Sequence, residues 1–181
     1  MTAGFLTVLG HPEMLASSPN PNYRGIDRML PIDMNALAAG QSWPTLDLDF
    51  VDEDLLAPDL ASALVLRDEF EKLRPGTPFE IIYVRSVEET DPLRPPEAVS
   101  LLGYDVASPA PFYSIVGDID PTNPVMMGIT PRLNAAGLLS TRKDAADYLE
   151  NSLEAHVGGA DETFKVWEIW DAAASDHVIG T

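Results

Sequence analysis

Three apolar, β-branched segments follow one another too closely for helices to fit between them. FEIIYVRSV (79–87), VSLLGYDVA (99–107) and FYSIVGDI (112–119) are strand-length runs rich in Val, Ile, Tyr and Phe. A parallel pair needs a crossover of a dozen residues or more, usually a helix. The spacing therefore predicts an antiparallel meander, with 99–107 and 112–119 turned on the SPAP between them. FKVWEIW (164–170) and an edge strand FLTVL (5–9) enlarge the sheet, and MMGIT (126–130), flanked by Pro124 and Pro131, is a further candidate. About 4–6 strands is the expected size.

Two helices are predicted to cover one face of that sheet. The first spans about 60–74. Asp59 is placed to cap it, because a carboxylate there accepts from the free amides of the first turn. Ala63, Leu66, Phe70 and Leu73 form its apolar stripe. Arg67–Glu71 and Asp68–Lys72 stand at i, i+4 on its wet side, and Pro75-Gly76 ends it. The second spans about 142–157, with Thr141 and Asp144 as a capping-box pair and Gly158-Gly159 as its stop. Ala145, Tyr148, Leu149, Ser152, Leu153 and His156 share a face. The fold class expected is α+β: an antiparallel sheet with two main helices on one side. Residues 1–181 read as a single domain, with 11–31 an irregular proline-rich arm (Pro12, Pro19, Pro21, Pro31). The units 59–87 and 141–171 echo each other as helix then strand, but their residues do not align.

Charge narrows the function classes. The chain has 29 acids against 11 bases, a net charge of -18. Such a field repels nucleic acid and anionic membrane and attracts cationic partners. No Lys or Arg occurs between Arg28 and Arg67, and Asp47, Asp49, Asp52, Glu53, Asp54 and Asp59 cluster inside that gap. Trp43, Leu46, Leu48, Phe50, Val51, Leu55 and Leu56 are threaded through the same run. Trp43 lies in a proline-bounded loop, and Trp is a favoured interface anchor.

Catalytic and metal motifs are absent. With no cysteine there is no disulfide, thiolate nucleophile or Cys-ligated metal. An EF-hand register from Asp47 fails, since Asp52 stands where Gly is needed and Pro58 where the bidentate Glu belongs. His11, His156 and His177 are too scattered for zinc. Asp118 and Asp120 read as turn chemistry before Pro121. Trp167 and Trp170, an odd number of residues apart, are expected on opposite sheet faces, both largely core. The N-terminus lacks a basic n-region, and no run approaches the ~18 apolar residues of a membrane span. A cytoplasmic location and no cofactor follow as expectations.

The segment LLGYDVASPAPFYSIVGD (101–118) resembles one found in bacterial proteins encoded beside polymorphic toxins, which act as their immunity proteins. The resemblance covers this hairpin only. It implies a small acidic inhibitor with no catalytic residues. The residues themselves point the same way: carboxylates steer association with a basic cleft, and apolar anchors between them hold the desolvated centre. The expected binding set is Trp43, Asp47, Asp49, Phe50, Asp52, Glu53 and Asp54, facing a basic toxin or effector. Two other readings stand beside it. One is a phage- or secretion-associated assembly subunit reaching out through its 11–31 arm. The other is an enzyme using Asp105, Asp118 and Asp120.

Overall fold

The computed structural model describes residues 3–9, 56–77, 79–88, 95–108, 113–114, 133–156 and 164–172. In chain order these form β1 (Ala3–Leu9), α1 (Leu60–Leu73), β2 (Phe79–Ser86), β3 (Ala98–Ser108), β4 (Tyr113–Ser114), α2 (Arg142–His156) and β5 (Lys165–Ala172). The strands make one antiparallel sheet in the order β1-β2-β5-β3-β4. The chain is thus α+β, as the pattern of segments implies. The strand candidate 126–130 and the arm 11–31 lie outside the described residues.

The expected meander is corrected: β5 lies between β2 and β3. A short connection forbids a helical crossover, but it does not force two strands to touch. The centre of a sheet goes to strands that are apolar on both faces. Four successive residues of β2, Ile81 to Val84, are buried, and β5 buries Val166, Trp167 and Ile169. β3, after a buried Ala98, opens instead with exposed Val99, Ser100 and Leu101. It therefore takes the flank, and β5 takes the middle.

The registers put both helices on the same side. Tyr83 pairs with Phe5 and with Trp170, so all three share a face. Ala63, Leu66 and Phe70 of α1 pack there with Phe5, Ile81 and Tyr83. Val166 and Val106, on the same face further along, pack under Ala145 and Tyr148 of α2. On the opposite face Leu6, Val8, Ile82, Val84, Ala107, Trp167 and Ile169 form a second apolar layer, closed by Leu56 and Leu138. Trp167 and Trp170 accordingly point opposite ways, the first fully buried and the second half-buried on the helix side. Leu73, expected in the stripe of α1, is instead exposed, beyond the last turn that meets the sheet. Lys72 pairs with Glu69 at 2.5 Å rather than with Asp68.

A two-fold repeat emerges that the residues alone conceal. β1, α1 and β2 correspond to β3, α2 and β5, and the axis runs between Val84 and Ile169, which face each other across the centre. Phe5 opposite Tyr83 matches Tyr104 opposite Glu168, and Tyr83 opposite Trp170 matches Glu168 opposite Arg85. Each half also fastens its helix in the same manner. Ala57 exchanges two backbone hydrogen bonds with Phe5, both 2.9 Å, and Leu139 does the same with Tyr104. The leucine before each clamp, Leu56 or Leu138, drops onto the opposite face beside a glycine. A Cβ on Gly4 would stand 2.8 Å from Leu56 Cβ, and one on Gly103 would stand 2.8 Å from Leu138 Cβ. Two residues beyond each clamp is an N-cap. Asp59 Oδ1 accepts from Ser62 N at 2.8 Å, and Thr141 Oγ1 accepts from Asp144 N at 3.0 Å.

The clamps also cover the outer edges of β1 and β3 at Phe5 and Tyr104, where unpaired backbone would invite another chain. In the second half Asn134 adds a lock. Its Oδ1 accepts from Ala136 N and Leu138 N, and its Nδ2 donates to Leu102 O at 2.8 Å. That bond falls at the register shift between Leu101 and Gly103, so the turn is seated on a β-bulge.

Candidate functional site

Trp43, Asp47, Asp49, Phe50, Asp52, Glu53 and Asp54 lie outside the described residues, as do Asp118 and Asp120. What the structure does place is the C-terminal end of the acidic run. Leu56 is fully buried, Ala57 is paired to β1, and Asp59 caps α1. The Ser62 amide holds the Asp59 carboxyl below its ordinary value, because a hydrogen-bond donor favours the charged acceptor.

Asp105 is fully buried on the face away from the helices. Its Oδ1 accepts from Ser114 Oγ at 2.6 Å and from Val106 N at 2.7 Å. A carboxylate removed from water must be hydrogen-bonded, and this one ties β3 to β4. Trp167 Nε1 donates to Ala107 O at 3.2 Å beside it. These bonds suit a structural joint between the outer strands.

One cluster of half-buried polar groups lies on the helix side, near the two-fold axis. Arg85 donates to Glu168 Oε2 through Nε at 3.1 Å and Nη2 at 2.6 Å, and Trp170 Nε1 reaches the same oxygen at 3.2 Å. The Arg85 and Glu168 side chains are 20% and 14% exposed, too dry for the pair to be an ordinary surface contact. Tyr104 faces Glu168 across β3 and β5. Burial first, and the Glu168 carboxylate second, push its hydroxyl above the usual phenol range, while Arg142 pulls the other way. Arg142, the first residue of α2, also donates through Nη2 to Val87 O at 3.5 Å.

Sequence reasoning missed this cluster. Arg85 and Glu168 sit in strands whose apolar neighbours read as core, and only the register brings them opposite each other. The one available signal was a charge inside each strand with two-residue periodicity, which places it among sheet-face residues. Among the described residues no group of three or more His, Cys, Asp or Glu side chains could hold a metal ion. No helix among them is long and apolar enough to cross a membrane.

The chain matches no protein-family model, no curated protein and no solved structure.

Proposed function

We propose that this protein is a non-catalytic acidic binder, of the immunity-protein kind, that neutralises a basic toxin or effector by covering its surface. The observation that carries this reading is the clustered acidic run at 47–59 in a chain of net charge -18. Such a field draws a basic partner in and repels nucleic acid, whose cleft on a toxin it would fill. The anchoring of residues 56–59 supports it. A docking segment tied at one end to a rigid sheet loses less entropy on binding than a free tail. The buried Asp105 counts against the enzyme alternative, since it is committed to Ser114 and Val106.

The test is a pull-down from the source lysate at low and moderate salt, repeated with Asp47, Asp49, Asp52, Glu53 and Asp54 reversed to Lys. The reading expects one basic protein, bound stoichiometrically, released by salt and lost on reversal. An affinity unchanged by reversal would remove the electrostatic mechanism.

A further inference from the structure

The two-fold repeat supplies an internal control. Where both halves carry the same chemistry at equivalent positions, the scaffold demands it. Phe79 and Phe164, Ile81 and Val166, Val84 and Ile169, and Ala63 and Ala145 are such pairs, all buried. Where one half needs only packing and the other holds charge, the scaffold does not require that charge, and its role is read from its own surroundings. One contiguous trio stands out. Phe5, Tyr83 and Leu60 belong to the apolar layer of the first half, with the Phe5 and Tyr83 rings 5.2 Å apart. Their equivalents are Tyr104, Glu168 and Arg142, placed by the matching register and the matching N-cap position.

From this we infer that the surface formed by Tyr104, Glu168, Arg142, Trp170 and Leu101 is a binding site for a zwitterionic, amino-acid-like small molecule with an apolar side chain. Glu168 gives Oε2 to Arg85 and Trp170, and none of those bonds uses Oε1. That oxygen is the acceptor for an ammonium group. Arg142 and the Tyr104 hydroxyl are the donors for a carboxylate. Leu101, 40% exposed, faces Trp170 one same-face step beyond the Tyr104–Glu168 pair. Successive side chains on one sheet face lie about 7 Å apart, the reach from the charged head of an amino acid to the end of a large apolar side chain.

The charges select this class over simpler ones. A plain anion meets Glu168 and a protein of net charge -18, and a plain cation meets Arg142 and Arg85. A zwitterion satisfies both signs without leaving either partner bare. The inference is independent of the proposed toxin partner, and its test involves no partner.

The experiment titrates the full chain with the free L-amino acids one at a time, followed by calorimetry and by the shift in thermal midpoint. Those with apolar side chains are expected to bind. Their N-acetyl and carboxamide derivatives, each missing one charge, should bind at least about tenfold more weakly. Arg142→Gln, a change at an exposed position, should weaken binding by about tenfold, and Glu168→Gln by at least as much. The inference is overturned if no amino acid binds at roughly 10 mM, a concentration that detects even the weakest specific sites. It is equally overturned if binding survives both Arg142→Gln and the loss of either charge on the ligand.

Discussion

The first half of the sheet closes on Phe5 and Tyr83, and the second puts Tyr104 and Glu168 in the same two places. Both halves keep the same clamp, the same glycine contact and an N-cap at the same point. What differs is how each meets water. The first is sealed by Leu60, Leu64 and the Phe70–Phe79 ring stack, with centroids 5.5 Å apart. The second leaves Tyr104, Glu168 and Trp170 partly open. The exchange is not one-directional. Thr7, bonded to Ala63 O, stands where the second half has Val106, and Arg67, whose Nε is buried without a hydrogen bond, stands where it has Leu149. A scaffold that tolerates such swaps is held by its backbone clamps and central strands, and its surface is free to specialise.

The largest effect should come from the clamps. A Cβ on Gly103 meets Leu138 Cβ and Leu139 O at 2.8 Å and Asn134 Nδ2 at 2.9 Å, and two of these atoms belong to side chains locked in the turn. Gly103→Ala should lower unfolding stability by roughly 2–4 kcal/mol. Gly4→Ala meets one atom under 3.0 Å, and should lower it by roughly 1–2 kcal/mol. Urea denaturation of the two variants checks the order; equal losses would mean that the extra Asn134 lock adds nothing.

The two caps use different acceptors. Thr141→Ala should cost about 1 kcal/mol near neutral pH, where the hydroxyl both accepts from the Asp144 amide and donates to the Asp144 carboxylate. Asp59 has a folded pKa below its unfolded value. Its contribution is therefore complete above the unfolded value and disappears as pH falls through the folded one, a window below about pH 4. Comparing Asp59→Asn with the parent from pH 7 to pH 2.5, the stability difference should shrink towards acid. A constant difference would show that the Asp59 charge is irrelevant to the cap.

The smallest effect on stability should come from making the second half resemble the first. Tyr104→Phe with Arg142→Leu leaves the Arg85–Glu168 pair intact. It should change unfolding stability by no more than about 0.5 kcal/mol, the range of partly exposed positions. It should still abolish amino-acid binding. A large loss of stability would mean that these polar groups hold the fold rather than a ligand.

Much of this architecture is readable from the chain. Asp59 before Leu60, and Thr141 with Asp144, mark the helix starts because capping is local chemistry. The odd separation of Trp167 and Trp170 sends them to opposite faces because strand periodicity is local too. The position of β5 is not local. Its double-sided apolar run suits a central strand, but the short β2-to-β3 connection points to a different neighbour, because proximity along the chain does not fix pairing across the sheet. The repeat was hidden for a related reason. The stretch from Thr141 to Phe164 is a few residues longer than that from Asp59 to Phe79, so an ungapped comparison slides out of phase.

By itself, the sequence determined the α+β class, the two capped helices, the strand segments and the strongly acidic field, because propensity, periodicity and net charge depend on neighbours along the chain. Strand order, the two-fold relation of the halves and the meeting of Arg85, Glu168, Tyr104 and Arg142 were decided only in the tertiary structure. Those residues are far apart in the chain, and only backbone pairing across the sheet sets which of them face each other.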